Sequence, residues 1–153
     1  MQNTRNIDKL GCSIVDLVSF LSSPQRDDAL LREAGVSLDR ALFPLLVRLG
    51  TQGPLGVAEL ADQVGRDHTT VSRQLAKLKS LHLVERCDSR ADRRRRAAQL
   101  TADGKKIVKA ITLARRRLLS KALANWSEAE SNALGTLVRR FADTLIEFAR
   151  QRS

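Results

Sequence analysis

The amino-acid sequence predicts a mainly α-helical fold of the α+β class, in which helices accompany one small β-hairpin. Three observations lead to this prediction. Both ends of the 153-residue chain repeat apolar residues at the three- and four-residue spacing of a buried helix face. Two short helical segments in the middle are separated by a turn that contains glycine. Residues 82–87 and 96–101 then have the pattern of two β-strands, joined by an arginine-rich connection.

The N-terminal part of the chain predicts three helices. Apolar spacing over residues 7–21 indicates the first, which the Ser-Ser-Pro sequence at 22–24 is expected to break or bend, because the residue before proline avoids the helical region. A short helix over about residues 25–34 is expected to stop at a glycine. Ser37 is expected to cap a third helix, with a kink at Pro44 inside it.

The middle of the chain predicts a helix-turn-helix. A loop over residues 50–56, with room for a one- or two-residue edge strand, precedes a short helix over residues 57–65. Asp67 is placed to cap the next helix, residues 68–81. The predicted hairpin follows at once, with residues 88–95 as its connection. This combination indicates a winged helix, and it is far more specific than either part alone.

Two long helices are expected after the hairpin. Thr101 is placed to cap the first of them, and the capping box Ser127-Glu128-Ala129-Glu130 is placed to start the second. The apolar stripes of the first and last helices exceed what one small lobe can cover. They therefore predict a homodimer, with an intramolecular bundle as the alternative.

The chain is strongly basic, since 27 Lys and Arg residues against 17 Asp and Glu leave a formal net charge of +10. This charge attracts polyanions, nucleic acid first and anionic membrane second. Aromatic residues make up only 3% of the chain, too few for the stacking surfaces of single-strand binders, so a duplex is the expected target. The sequence has no transmembrane run, no secretion signal and no disulfide framework, which predicts a cytoplasmic protein without a membrane partner.

Four short motifs stand in a distinctive order within VAELADQVGRDHTTVSRQLAKLKSLHLVER and DSRADRRRRAAQLTADG. They are Thr-Val-Ser-Arg at 70–73, Leu-Val-Glu-Arg at 83–86, Asp92-Arg93-Arg94 and Leu100-Thr101-x-x-Gly104. In these motifs, and in its flanking helices, the chain resembles the MarR family of bacterial transcription regulators over nearly its whole length. The resemblance implies a homodimer that binds a palindromic duplex operator, usually as a repressor, and is often released by a small anionic or aromatic effector.

The expected organisation follows from these observations. Residues 1–36 would form an N-terminal dimerisation segment, 37–101 a winged helix-turn-helix DNA-binding lobe, and 102–153 the C-terminal dimerisation helices. The leading interpretation is a sequence-specific regulator that binds double-stranded DNA as a homodimer, a repressor rather than an activator. The alternative is a low-specificity architectural or nucleoid DNA-binding protein, which the charge would also suit.

A DNA-binding surface is expected on the second helix of the helix-turn-helix and on the hairpin tip. Drawn as a helix, residues 68–81 present hydroxyls, then Arg and Lys, opposite a buried stripe, and this composition suits the major groove. By the family pattern Arg94 would enter a narrow minor groove, Arg90 and Arg93 would contact phosphates, and Asp92 would order the tip. The alternatives are a solvated amphipathic helix and a solvated charge run. The predicted DNA-binding residues are His68, Thr69, Thr70, Ser72, Arg73, Gln74, Lys77, Arg90, Arg93 and Arg94.

Other chemistry is not indicated. The two histidines and two cysteines show no paired metal-ligand spacing, and neither a phosphate loop nor a nucleophile–base pair is recognisable, so no metal, cofactor or enzymatic activity is expected. Cys12 is expected as a small apolar residue in a helix interface rather than a redox sensor, and redox sensitivity of Cys87 beside the wing stays open. An effector site, placed only by the resemblance, would be lined by Leu17, Leu21, Phe43, Leu46, Ile107 and Ile111.

Overall fold

The computed structural model describes residues 2–88 and 96–152. Helices predominate in it, and one small antiparallel sheet accompanies them, which confirms the predicted fold class. The chain divides into two units, one ending at Arg115 and the other beginning at Arg116. In chain order the elements are α1 (Gln2–Leu21), α2 (Pro24–Ala34), α3 (Phe43–Gln52), β1 (Leu55–Gly56), α4 (Val57–Val64), α5 (His68–Ser80), β2 (Val84–Asp88), β3 (Arg96–Leu100), α6 (Ala102–Ala122) and α7 (Glu128–Arg150).

The break between α1 and α2 lies where the sequence predicts it. Pro24 occupies the first turn of α2, where its missing N–H would have had no partner within the helix. Helix α2 ends at Gly35, which adopts the left-handed conformation at φ 67° and donates its N–H to the carbonyl of Arg32. The predicted proline break and glycine stop are both confirmed.

The predicted start of the third helix is wrong. Helix α3 begins at Phe43, and Ser37 lies before it in non-helical chain. Asp39 instead forms a turn, because its Oδ1 accepts a hydrogen bond of 2.9 Å from the N–H of Ala41. Pro44 therefore lies in the first turn of α3 and not in its interior. A proline in the first turn removes no hydrogen bond within the helix, so the reason for the predicted kink does not apply.

Helices α4 and α5 form the predicted helix-turn-helix corner. Gly65, at φ 66°, ends α4 in the left-handed conformation. Asp67 then caps α5, since its Oδ1 accepts a hydrogen bond of 2.8 Å from the N–H of Thr70. These two local signals set the direction in which α5 leaves the turn.

The sheet has the strand order β1-β3-β2, with all pairs antiparallel. Strands β2 and β3 pair from Val84 opposite Leu100 to Asp88 opposite Arg96, and the two-residue β1 confirms the predicted edge strand. Strand β2 begins two residues later than predicted. His82 is the reason, because its φ of 59° is left-handed and incompatible with a strand.

The hydrophobic core of the first unit lies among α3, α4, α5 and the sheet. It consists of aliphatic side chains, and no buried polar side chain occurs in the described part of the chain. Its members are Leu42, Leu45, Leu46, Leu49, Leu55, Leu60, Ala61, Val71, Leu75, Leu78, Leu83, Val84, Ala98 and Leu100. The apolar face of α5 packs against this core, and the opposite face of the helix is exposed to solvent.

Helix α7 makes up most of the second unit. The predicted capping box is present: the N–H of Glu130 donates to Ser127 Oγ at 3.1 Å, and the N–H of Ser127 donates to Glu130 Oε2 at 2.8 Å. None of the residues of α7 is buried. Its apolar side chains are therefore available to pack against another protein surface.

Candidate nucleic-acid interface

Helix α5 has one buried face and one exposed face, as predicted from its sequence. Val71, Leu75 and Leu78 are at most 8% exposed and pack into the core. The opposite face is open to solvent, and Thr70, Ser72 and Gln74 are half-buried along its flanks. The exposed residues of α5 are His68, Thr69, Arg73, Ala76, Lys77, Lys79 and Ser80.

The N-terminus of α5 is held by the side chain of Asp67. Besides capping the N–H of Thr70, the carboxylate accepts a hydrogen bond of 2.6 Å from the hydroxyl of Thr70. This hydroxyl bond is the main reason that the pKa of Asp67 lies below its ordinary value, and the backbone bond adds to it. The hydroxyl proton of Thr70 is therefore already used, whereas His68 and Thr69 remain exposed at the same end.

A polar cleft of about 330 Å³ runs beside α5 and brings four of the predicted DNA-binding residues together. Thr70, Arg73, Gln74 and Lys77 line it from α5. Its other wall is the turn before α3, with Asp39, Ala41 and Leu42.

Gln74 has a partner that the sequence did not indicate. Arg66, in the turn between α4 and α5, donates from Nη1 to Gln74 Oε1 at 2.8 Å. The same Nη1 donates to the carbonyl oxygen of Ala41 at 2.6 Å. No sequence signal marks this link, because the three residues belong to different segments and meet only when the helices pack.

The other flank of α5 faces the root of the wing. A cleft of about 290 Å³ is lined there by Ser72, Ala76 and Lys79 of α5 and by Glu85 and Arg86 of β2. Ser72 is the predicted DNA-binding residue on this side. Lys79 and Arg86 were not among the predicted DNA-binding residues, but their charged side chains line the same cleft.

Three predicted contacts, Arg90, Arg93 and Arg94, lie outside the described residues, as does Asp92. The strands on either side are described, and their last pair joins Asp88 to Arg96. The wing assignment of these arginines therefore stays a prediction.

The six residues of the predicted effector site have very different environments. Leu46 and Ile111 are completely buried, and Leu46 belongs to the hydrophobic core. Phe43 and Ile107 are half-buried, and Leu17 and Leu21 of α1 are exposed. The effector site stays a prediction.

The two cysteines are free thiols. Cys12 is exposed on α1, and Cys87 is half-buried on β2. Burial raises the pKa of the Cys87 thiol, and the nearby carboxylates of Asp88 and Glu85 raise it further. A raised pKa disfavours the thiolate, which is the reactive form.

Membrane spans and metal-binding clusters are both absent from the described residues. None of their helices has the length and hydropathy of a membrane span. Within the same residues, His, Cys, Asp and Glu side chains form no group of three or more that would suit a metal ion.

Comparison with known proteins identifies the family. The family model HVO_A0114 matches residues 38–107. The chain is 30% identical over 132 residues to the uncharacterized HTH-type transcriptional regulator YxaD of Bacillus subtilis strain 168, an alignment that covers 86% of this chain and 92% of YxaD.

Solved structures share the fold. A MarR family protein from Bacillus stearothermophilus superposes with a TM-score of 0.78 at 20% identity, over 94% of this chain and 97% of that one. Bordetella bronchiseptica BpsR, whose DNA binding is regulated by 6-hydroxynicotinic acid, superposes with a TM-score of 0.58 at 23% identity, over 85% of this chain and 98% of its own. YxaD is a transcriptional regulator rather than an enzyme, which agrees with the expectation that this chain is not an enzyme. The chain belongs to the HTH-type transcriptional regulators, and its fold is that of the MarR family protein from Bacillus stearothermophilus.

Proposed function

We propose that this regulator binds a palindromic duplex operator as a homodimer, with α5 of each protomer in the major groove, and that it acts as a repressor. The observation that carries this proposal is the two-sided character of α5. Its apolar face is locked into the core, while Arg73, Lys77 and the hydroxyl of Thr69 stand on the exposed face. A helix held rigidly from behind presents such groups to base edges and phosphates at fixed positions.

The charges around α5 suit the two kinds of contact that DNA offers. Arginine pairs with guanine edges through two parallel hydrogen bonds, whereas lysine serves as a point charge for phosphates. We assign Arg73 to a base edge and Lys77 to the backbone. Lys79 and Arg86, which line the cleft between α5 and the wing, supply further phosphate contacts. Arg94 in the minor groove, with Arg90 and Arg93 on phosphates, completes the proposed interface.

Exposed apolar residues on α1 and α7 support the homodimer. Each of these side chains is between 37% and 64% exposed. Together they leave more apolar surface in water than a stable monomeric protein usually exposes. A second copy of the chain is the simplest cover, since two-fold docking buries the same surface on both protomers. The residues are Ile7, Leu10, Val15, Leu17, Val18, Phe20 and Leu21 of α1 and Leu134, Leu137, Val138, Phe141, Leu145, Ile146 and Phe148 of α7.

A homodimer explains why the operator should be a palindrome. Two copies of α5 related by a two-fold axis read two identical half-sites, which lie about 34 Å apart when they face the same side of the DNA. Repression would follow where such a site overlaps a promoter.

DNA is the target, so we place the protein in the cytoplasm.

We also propose that a small aromatic or anionic effector releases the protein from DNA. The support is the likeness to BpsR, whose DNA binding 6-hydroxynicotinic acid regulates. The proposed lining remains Leu17, Leu21, Phe43, Leu46, Ile107 and Ile111. Titration of the protein–operator complex with aromatic carboxylates, beginning with 6-hydroxynicotinic acid, tests this part. Unchanged affinity across the series would remove it.

The decisive experiment compares affinities for the DNA upstream of the protein's own gene and for random duplex of equal length. A ratio of about 10³ or more supports the sequence-specific regulator. A ratio near one would instead support the architectural protein, for which the charge of +10 per chain is the specific argument. Footprinting of the same upstream DNA would then show whether the protected site is a palindrome, and a reporter gene would show the sign of regulation.

A further inference from the structure

The side-chain amide of Gln74 is held in one orientation by its neighbour, and this orientation has a consequence for base recognition. We infer that Arg66 holds the amide of Gln74 with its NH₂ group toward the DNA side, so that Gln74 reads guanine. The inference rests on the proposed function, in which α5 enters the major groove. It concerns which base of the operator Gln74 selects.

Hydrogen-bond chemistry decides the orientation of the amide. A guanidinium group has five N–H donors and no acceptor, so only the oxygen of Gln74 can face it. Arg66 Nη1 donates to that oxygen at 2.8 Å and is itself anchored by the carbonyl of Ala41 at 2.6 Å. Both bonds are partly buried, which makes them costly to lose. The amide of Gln74 is thereby clamped, with its oxygen toward the protein.

The residues that the structure describes supply a hydrogen-bond partner for the oxygen of Gln74 and none for its NH₂ group. Gln74 lines the polar cleft beside α5 together with Arg73 and Lys77, so this group has access to the side on which DNA is proposed to bind. It offers two N–H donors and no acceptor.

This orientation changes the base that a glutamine can read. An unrestrained glutamine pairs with adenine, because its oxygen accepts from adenine N6 while its nitrogen donates to N7. Arg66 uses one of the two acceptor positions of the oxygen and holds the oxygen on the protein side, so the oxygen and the nitrogen cannot both turn to one adenine edge. Guanine presents two neighbouring acceptors, N7 and O6, in the major groove, and no other base does so. An amide that turns only its NH₂ group to the DNA therefore favours guanine.

The test is a selection of binding sites from a duplex library with a randomised central segment, using the full-length wild-type protein and the variants Arg66→Met and Gln74→Ala. Wild type should select guanine over adenine by about tenfold at one position in each half-site. Arg66→Met frees the amide oxygen, so this preference should disappear or turn toward adenine. Gln74→Ala should lose base preference at that position alone.

Two control variants change the same residue types elsewhere. Arg40→Met removes an arginine whose partner is Asp28, at 3.8 Å. Gln63→Ala removes a glutamine that pairs with Gln52 of α3 through 2.7 and 2.8 Å bonds. Both should select the wild-type sequence. A change of base at the same position in either control would overturn the assignment to the Arg66–Gln74 pair.

A further variant, Gln74→Lys, leaves Arg66 in place and covers the case in which Arg66→Met does not fold. Lysine presents only N–H donors, so guanine should stay selected. Adenine at this position in wild type, or profiles of Gln74→Lys and Gln74→Ala that match wild type at every position, would overturn the inference alone. If wild type enriches no sequence at all, the proposed function fails first, and the inference fails with it.

Discussion

The backbone carbonyl of Leu83 lies so close to Gly104 that a Cβ atom on Gly104 would collide with it. The same carbonyl oxygen accepts a hydrogen bond of 3.1 Å from the N–H of Thr101, and the Thr101 hydroxyl donates to the carbonyl of His82 at 2.7 Å. Thr101 Oγ1 in turn accepts from the N–H of Gly104 at 3.1 Å. These contacts join the end of α5 and the start of the wing to the first turn of α6.

The first prediction concerns this junction. Gly104→Ala should lower the free energy of unfolding by about 1–3 kcal/mol, because the added methyl group forces the backbone of Leu83 away from α6. Urea unfolding followed by circular dichroism measures the change. Gly11→Ala is the matched control, since Gly11 lies within α1 with nothing near its missing side chain. That control should be neutral or slightly stabilising. Equal stability of wild type and Gly104→Ala would contradict the close approach.

The second prediction concerns the cap of α5 and its dependence on pH. The hydrogen bonds from Thr70 hold the pKa of Asp67 below its ordinary value of 3.8. A carboxylate with a depressed folded-state pKa stabilises the fold above its unfolded pKa, and this contribution is lost as pH falls through the folded pKa. Asp67→Ala should therefore lower the urea midpoint at neutral pH, and the difference from wild type should shrink below pH 3.8.

The control for the cap is Asp62→Ala, which removes an exposed carboxylate from α4. Its urea midpoint should stay close to that of wild type across the same pH range. A difference between Asp67→Ala and wild type that persists undiminished in acid would show that the charge of Asp67 is not the source of its effect.

The third prediction tests the exposed face of α5. Lys77→Ala should weaken operator binding and reduce the magnitude of the slope of log K against log salt by about 1.8, because each of the two protomers loses one phosphate contact worth about 0.9. Arg94→Ala should also weaken binding strongly while the dimer stays intact. Fluorescence anisotropy at several salt concentrations measures both effects. Arg139→Ala is the control, because Arg139 pairs with Asp143 on α7 at 2.6 Å. An unaltered salt slope in Lys77→Ala would remove Lys77 from the interface.

The fourth prediction tests the homodimer. Leu137 is 61% exposed on α7, so Leu137→Glu should leave the folded protomer stable. In a dimer the two glutamates would be buried without partners, which should raise the dissociation constant at least about 100-fold. Size-exclusion chromatography with light scattering should then find a monomer, and operator affinity should fall as well. Arg140→Glu, on a polar part of the same helix, controls for the added negative charge. A wild-type protein that is monomeric at micromolar concentration would refute the dimer itself.

Features that depend on neighbours along the chain were predictable. The Asp67 cap, the Ser127–Glu130 capping box and the glycine stop at Gly65 each involve residues within one helical turn, so the local sequence contains the whole interaction. The buried stripe of α5 follows for the same reason, since helical periodicity alone places Val71, Leu75 and Leu78 on one face. A proline is compatible with either the first turn of a helix or a kink in its interior, and at Pro44 the prediction of an interior kink was wrong.

The sequence by itself therefore determined the type and order of the elements, the family and the residue types on the exposed face of α5. Only the tertiary structure decided that Arg66 clamps Gln74, that Gly104 touches Leu83 and that Lys79 and Arg86 share a cleft. These contacts join residues from different elements, and their distances depend on how whole helices and strands pack around the core. A local pattern contains no information on such distances. It therefore predicts which side chains lie on a surface, but not which of them already form a hydrogen bond or contact with another part of the protein.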